Sequence, residues 1–141
     1  MSDNQHSEIN VQYRISPAVT NDELNILFAA SWPYHPWYDF SPVLQRSLAY
    51  VCAYDQNRLV GFVNLAWDGG IHAFILDTTV HPTVRRRGIG QALVKHAAAV
   101  AQERGIEWLH VDYEPHLQAF YRQCGFQHTE AGIRRLNLRP R

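Results

Sequence analysis

The stretch Val80-His-Pro-Thr-Val-Arg-Arg-Arg-Gly-Ile-Gly-Gln-Ala-Leu93 joins an expected strand to an expected helix through three arginines and two glycines. Upstream, Ala73-Phe-Ile-Leu-Asp-Thr-Thr-Val80 is rich in β-branched and aromatic residues and lacks a helical period, so it reads as a largely buried strand. Downstream, Ile89, Leu93, Ala97 and Val100 recur at helical spacing within residues 88–104, and Gly105 is a stop signal. A chain entering a helix leaves backbone N–H groups without intrahelical acceptors, and the helix dipole adds partial positive charge at that end. Gly88 and Gly90 carry no side chain to block an anion from the main chain, and Arg85, Arg86 and Arg87 surround it with fixed charge. The turn is therefore a candidate pyrophosphate cradle. The competing reading of an arginine run is a solvated face or a weak nucleic-acid patch.

Composition narrows the partner. Lys+Arg and Asp+Glu both number 13, so no global field draws the chain to nucleic acid or to an anionic membrane, and a small anion suits the local cluster better than a polymer. A length of 141 residues suits a single domain, expected over residues 9–141 after a disordered N-terminus at 1–8. Cys52 and Cys124 make neither a disulfide framework nor a metal-type spacing, and the eight histidines form no His-Glu-x-x-His arrangement, so no metal is expected. No apolar run approaches the ~20 residues of a membrane span, and the polar start Met1–Ser7 lacks a signal-peptide core. A cytoplasmic protein is the expectation.

Read in order, Ile9–Ile15 alternates as a half-buried strand, and Thr20 with Glu23 forms a capping-box pattern ahead of a helix over 21–31. Ser31-Trp-Pro-Tyr-His-Pro-Trp-Tyr-Asp-Phe40 follows, where prolines prevent regular structure and aromatic rings crowd together. Such a loop walls a pocket, plugs the core edge or forms a dimer contact. Asp39 within it is placed either to attract a cationic amine or to cap the short helix signalled by Ser41-Pro42. Ala49–Tyr54, Leu59–Trp67 and Ala73–Val80 make an antiparallel meander, and Ile106–Asp112, reached through a helix, is expected to pair parallel with the last of them. Glu114-Pro115 opens a second helix ending at Gly125. Phe126–Thr129 and Ile133–Leu138 are expected as a terminal hairpin.

Arg85-Arg86-Arg87-Gly88-Ile89-Gly90 fits an Arg/Gln-x-x-Gly-x-Gly/Ala signature. With Val80-His81-Pro82 before it and Phe120-Tyr121-Arg122-Gln123-Cys124-Gly125-Phe126 some thirty residues later, it resembles the GNAT N-acetyltransferases. The resemblance covers Leu59 to Phe126. It implies an α/β (α+β) fold: a mixed, mainly antiparallel sheet of six to seven strands with a central splay near Val80, flanked by about four helices. It also implies direct transfer of an acetyl group from acetyl-CoA to a primary amine of a small molecule or peptide, by a monomer or homodimer. On that resemblance Thr79, Val80, Arg85, Arg86, Arg87, Gly88, Ile89, Gly90, Gln91 and Tyr121 contact acetyl-CoA.

Such chemistry needs a base for the ammonium and an acid for the departing thiolate. Tyr121 matches the family tyrosine that serves as the acid; the competing role is a core aromatic. His110 resembles the position of a family glutamate and suits a base near neutrality, with Asp112 expected on the same face to orient it. His72 and Asp77 are the reserves. Trp32, His35, Trp37, Tyr38, Asp39, Asp77 and Glu114 are the expected acceptor side, Glu114 standing where many members have an asparagine that contacts CoA. The alternative, from a different class, is a non-catalytic acyl-CoA-binding module with the same fold.

Overall fold

The computed structural model describes residues 10–138, so the expectation of disorder at 1–8 falls outside the described residues. Five strands form one sheet in the order β1 (Val11–Ile15), β2 (Ala49–Asp55), β3 (Arg58–Trp67), β4 (His72–Val80) and β5 (Trp108–His110). Neighbours from β1 to β4 are antiparallel, because short turns join them or the chain returns through α1 and α2. β5 runs parallel to β4, because a helix carries the chain across. At the β2–β3 hairpin Gln56 and Asn57 both have positive φ (49° and 72°), the pattern of a type I′ turn that matches strand twist.

Four α-helices flank the sheet: α1 (Asn21–Ser31), α2 (Ser41–Arg46), α3 (Ile89–Glu103) and α4 (Gln118–Gln123). The expected capping box starts α1. Thr20 Oγ1 accepts from the Glu23 amide at 3.1 Å, and Glu23 Oε1 accepts from the Thr20 amide at 3.0 Å. Leu24, Leu27 and Phe28 of α1, together with Phe40, cover Cys52, Tyr54 and Phe62 on one side of the sheet. On the other side α3 lays Ile89, Leu93, Val94, Ala97, Val100 and Ala101 against Val51, Ala53, Val63, Leu65, Ala73 and Ile75. Gly61 lets α3 approach: a Cβ there would stand 3.0 Å from Leu93 Cδ1. None of the described helices is long and apolar enough to cross a membrane.

Among the described residues the sheet has five strands, where six to seven were expected. The expected terminal hairpin is absent, since residues 126–138 form neither strand nor helix. A two-stranded hairpin is marginal by itself, and Ile133-Arg-Arg-Leu-Asn-Leu138 breaks strict alternation at its two arginines, so without a neighbouring strand nothing orders it. The strand expected over 106–112 contracts to Trp108–His110. The helix opened by Glu114-Pro115 begins as a 3-10 turn, Pro115–Leu117, ahead of α4.

Candidate active site

β4 and β5 pair at only three rungs: His72 with Trp108, Ala73 with Leu109 and Phe74 with His110. Among the described residues no further rung joins them, so the strands part along the C-terminal half of β4. That half is irregular. Asp77 adopts φ +58°, and the β3 register shifts so that Asn64 faces Leu76 while Phe62 faces Thr79. A bulge of this kind re-aims side chains next to an opening in a sheet. The Asp77 carboxyl keeps solvent access, yet desolvation by the surrounding protein raises its pKa above the usual carboxylate value.

Tyr121 of α4 is 7% exposed and stacks on Tyr113, with ring centroids 5.0 Å apart. Burial, first, raises its pKa; the neighbouring Thr78 hydroxyl counteracts this, and the charge of Asp112 adds to it. Thr78 Oγ1 is buried and forms no well-aligned hydrogen bond among the described residues. Asp112 thus bears on Tyr121. β5 ends at His110, two residues before Asp112, so Asp112 lies outside the strand.

The arginine turn leaves β4 through a 3-10 segment, Pro82–Val84, started by His81 Nδ1 accepting from the Thr83 amide at 3.2 Å. Arg85 Nε donates to the Val80 carbonyl at 3.3 Å. Arg86 and Gly88 have φ of +66° and +78°, and Gly88 is the N-cap of α3, where no side chain caps the helix. The first-turn amides of α3 therefore face outward without acceptors. They border a groove of about 420 Å³ lined by Val80, Val84, Arg85, Arg86, Gly88, Ile89, Gly90, Gln91 and Phe120. Free amides at the positive end of a 15-residue helix, with guanidinium groups on the same rim, suit a pyrophosphate.

The two glycines divide their labour differently from the sequence expectation. Gly88 supplies the left-handed φ, and a Cβ there would meet nothing within 4 Å. A Cβ on Gly90 would stand 3.3 Å from Phe120 Cζ and 3.4 Å from its Cε1. Gly90 thus makes room for the Phe120 ring, so α4 abuts the turn. Gln91 Nε2 and Gln123 Oε1 are hydrogen-bonded across the same junction.

The aromatic loop approaches from the α1 side. Trp32 Nε1 donates to Thr79 Oγ1 at 3.2 Å, which ties the loop's start to β4. Asn25, 7% exposed, anchors the remainder. Its Oδ1 accepts from the Tyr38 amide at 2.8 Å and lies 2.9 Å from His35 Nε2, and its Nδ2 donates to the carbonyls of Asn21 and Tyr38, both at 2.8 Å. His35 lies against Phe28 and Phe40, and burial lowers its pKa. Asp39 Oδ1 accepts from Asn21 Nδ2 at 2.9 Å and the Ser41 amide at 3.0 Å, the capping alternative raised above; these bonds lower its pKa. Trp37 is exposed, as is Glu114.

At the closed end of the gap, His72 Nδ1 lies 2.8 Å from His110 Nε2, and the His110 ring stacks on Phe74 at 4.9 Å. One nitrogen of that contact must donate and the other accept, so at least one ring is neutral in it. Sequence reading named His110 as base and His72 as a reserve, without seeing that they touch. It missed Thr78 and Asn25 altogether. A signal for Asn25 existed, a lone amide among Leu24, Leu27 and Phe28; Thr78 had none.

Comparison with known proteins accords with this arrangement. The chain is 30% identical over 124 residues to GCN5-related N-acetyltransferase 1, chloroplastic, of Arabidopsis thaliana, covering 86% of this chain and 63% of that one. A GNAT-family acetyltransferase structure from Streptococcus pneumoniae TIGR4 superposes with a TM-score of 0.71 at 26% identity, over 90% of this chain and 98% of that one. The aminoglycoside N-acetyltransferase AAC(6')-Iy in complex with CoA shares the fold, with a TM-score of 0.74 at 22% identity over 91% and 95% of the two chains. The chain spans 48% to 63% of the length of the first curated relatives it matches. The profile of the acetyltransferase (GNAT) family matches residues 18–126, and the chain belongs to that family.

Proposed function

We propose that the chain is an acetyl-CoA-dependent N-acetyltransferase that moves an acetyl group directly to a primary amine of a small molecule or peptide. One observation carries this reading. The uncapped first turn of α3 with its arginines and the buried Tyr121 beside the Thr78 hydroxyl meet along one parting of β4 from β5. The CoA bound by the similarly folded aminoglycoside acetyltransferase supports the same donor.

Bound acetyl-CoA would supply the activated acyl group. Arg85, Arg86 and the first-turn amides from Gly88 to Gln91 hold its pyrophosphate, and Thr79, Val80 and Arg87 border the path from there into the gap. Asp77 draws the cationic acceptor toward the cleft floor. The His72–His110 pair takes the proton that the ammonium must lose before its nitrogen can attack the acyl carbon. Tyr121 Oη, a phenol protonated at neutral pH, donates its proton to sulfur as the C–S bond breaks. Trp32, His35, Trp37, Tyr38 and Asp39 wall the acceptor entrance, and Glu114 lines its far side. Asp112 acts through Tyr121, since its negative charge favours the protonated phenol.

Two measurements test the proposal. Acetyl-CoA at ~100 times its dissociation constant should stabilise the fold by about 2.7 kcal/mol in a thermal melt. Release of free thiol should appear with at least one member of an amine panel. Stabilisation without thiol release would favour the non-catalytic acyl-CoA-binding module, and no stabilisation by any acyl-CoA would defeat both. Tyr121→Phe should cut turnover by about 10²-fold or more while leaving acetyl-CoA affinity nearly unchanged. Undiminished turnover would remove Tyr121 from the chemistry.

A further inference from the structure

β3 begins at Arg58, directly after the β2–β3 hairpin, and its bonding to the chain of β4 runs one step past that strand: the His81 amide donates to the Val60 carbonyl at 2.8 Å. There the chain leaves the sheet in the 3-10 segment Pro82–Val84, and Arg58 turns its guanidinium onto that segment. Arg58 Nη2 lies 3.3 Å from Thr83 Oγ1, and 3.2 Å and 3.1 Å from His81 Nδ1 and Nε2. The Thr83 hydroxyl lies 2.9 Å from the same Nδ1, to which the Thr83 amide donates at 3.2 Å.

An amide and a guanidinium can only donate, so His81 Nδ1 must offer its lone pair, and the ring's one proton sits on Nε2. A proton on Nδ1 would face the Thr83 amide and the Arg58 guanidinium, and the cap on the 3-10 segment would break. Burial first, then the positive charges of Arg58 on β3 and Arg85 in the turn, lower the His81 pKa from the ordinary 6.5. The imidazole is therefore neutral at neutral pH, and the cap is intact. Downstream, Val84 is 4% exposed and Arg85 Nε donates to the Val80 carbonyl, so the placing of Thr83 carries over to two residues that line the groove. No side chain caps α3 at Gly88, which leaves the turn to be held from this upstream end.

We infer that Arg58 and His81 are positioning residues for the donor turn. Arg58 steadies His81, and His81, through the Thr83 amide, holds Pro82–Val84 so that Arg85, Arg86 and the first-turn amides of α3 face the pyrophosphate of acetyl-CoA. Neither side chain touches the reacting atoms. Both assignments rest on the donor-binding role proposed above for that turn. They also set the sign of a pH effect. Were His81 one more cation for the cofactor, protonating it would tighten the binding of an anion. As a cap it does the reverse: the turn loosens and binding weakens as pH falls below 6.5 through the lowered pKa.

The test is calorimetric titration of acetyl-CoA into the full chain at about pH 8 and about pH 5, paired with imidazole NMR of His81. At the higher pH, His81→Ala and Arg58→Met should each weaken binding about fivefold, the scale of one lost hydrogen bond. His81→Asn should stay within about twofold of wild type, because its Oδ1 accepts from the Thr83 amide without titrating. At the lower pH the wild type should lose about twofold or more affinity beyond what His81→Asn loses, and protonation of the cofactor's own phosphate cancels in that ratio. The His81 resonance, assigned by its absence in His81→Asn, should titrate below 6.5 in the wild type and move upward in Arg58→Met, an exposed position whose replacement spares the core. Equal pH dependence in wild type and His81→Asn, tighter wild-type binding at acid pH, or failure of Asn to restore what Ala loses would overturn the role of His81. An Arg58→Met chain unchanged in both affinity and the His81 titration would overturn that of Arg58. Each of those results leaves the donor role of the turn standing, whereas a wild type that binds no acetyl-CoA at either pH would defeat that role and the positioning with it.

Discussion

Gly61→Ala tests how core packing sets the cofactor turn. Gly61 lies on β3 beneath the first turns of α3, opposite Val80 in the ladder. A Cβ there would stand 3.0 Å from Leu93 Cδ1, 3.2 Å from Ala53 Cβ and 3.3 Å from Ile89 Cγ2, against an optimum of ~3.5–4.0 Å between carbons. Leu93 and Ala53 are 0% exposed and Ile89 3%, so none can swing into solvent, and α3 must lift instead. Overpacking of this kind costs about 1–3 kcal/mol, and the reduced freedom of the unfolded chain returns about 0.4–1 kcal/mol. A net loss of about 1–2 kcal/mol should lower the melting temperature by about 3–8 °C. Ile89 opens α3, so lifting it also misplaces the first-turn amides, and the melting shift produced by acetyl-CoA should shrink. In a Leu93→Val background, which removes the closest contact, Gly61→Ala should cost about 1 kcal/mol less. Stability at or above wild type, or an equal loss in both backgrounds, would refute the packing argument.

Two further outcomes follow from the site. Asp77 has its pKa raised by desolvation, so the native state binds this proton more tightly than the unfolded chain. Its contribution to stability therefore falls as pH climbs from the ordinary value of 3.8 through the raised one. Asp77→Asn, which suits φ +58°, should melt above wild type near neutrality, the two curves converging below about pH 3, while its KM for the amine rises. A pH-independent difference between the melting curves would contradict the assignment. Asn25→Ala strips three hydrogen-bonding contacts from the aromatic loop. It should cost about 1–3 kcal/mol for the buried groups left unpaired and quicken proteolysis within residues 32–40. Unchanged cleavage there would show that the loop is held by its rings instead.

What could be read from sequence was local in origin. The Thr20–Glu23 capping box, the α3 stripe after an arginine–glycine turn, and the strand–helix–strand order implying a parallel β4–β5 pair each depend on residues a few positions apart. Periodicity and capping chemistry report such spacings directly. The acidic cap at Asp39 was among the alternatives for the same reason, since it faces a helix start two residues away.

Tertiary structure decided whatever joins distant positions. Gly90 is small because Phe120, thirty residues on, occupies the space of its Cβ, and no local rule separates that from an open path to an anion. His72 and His110 touch across the β4–β5 rungs, Trp32 bonds to Thr79, and Asp112 bears on Tyr121. The terminal hairpin is the counterexample that explains the division. Residues 126–138 carry apolar residues that sequence reads as strands, but a strand exists only against an edge that accepts its hydrogen bonds. Which edge that is depends on the whole fold.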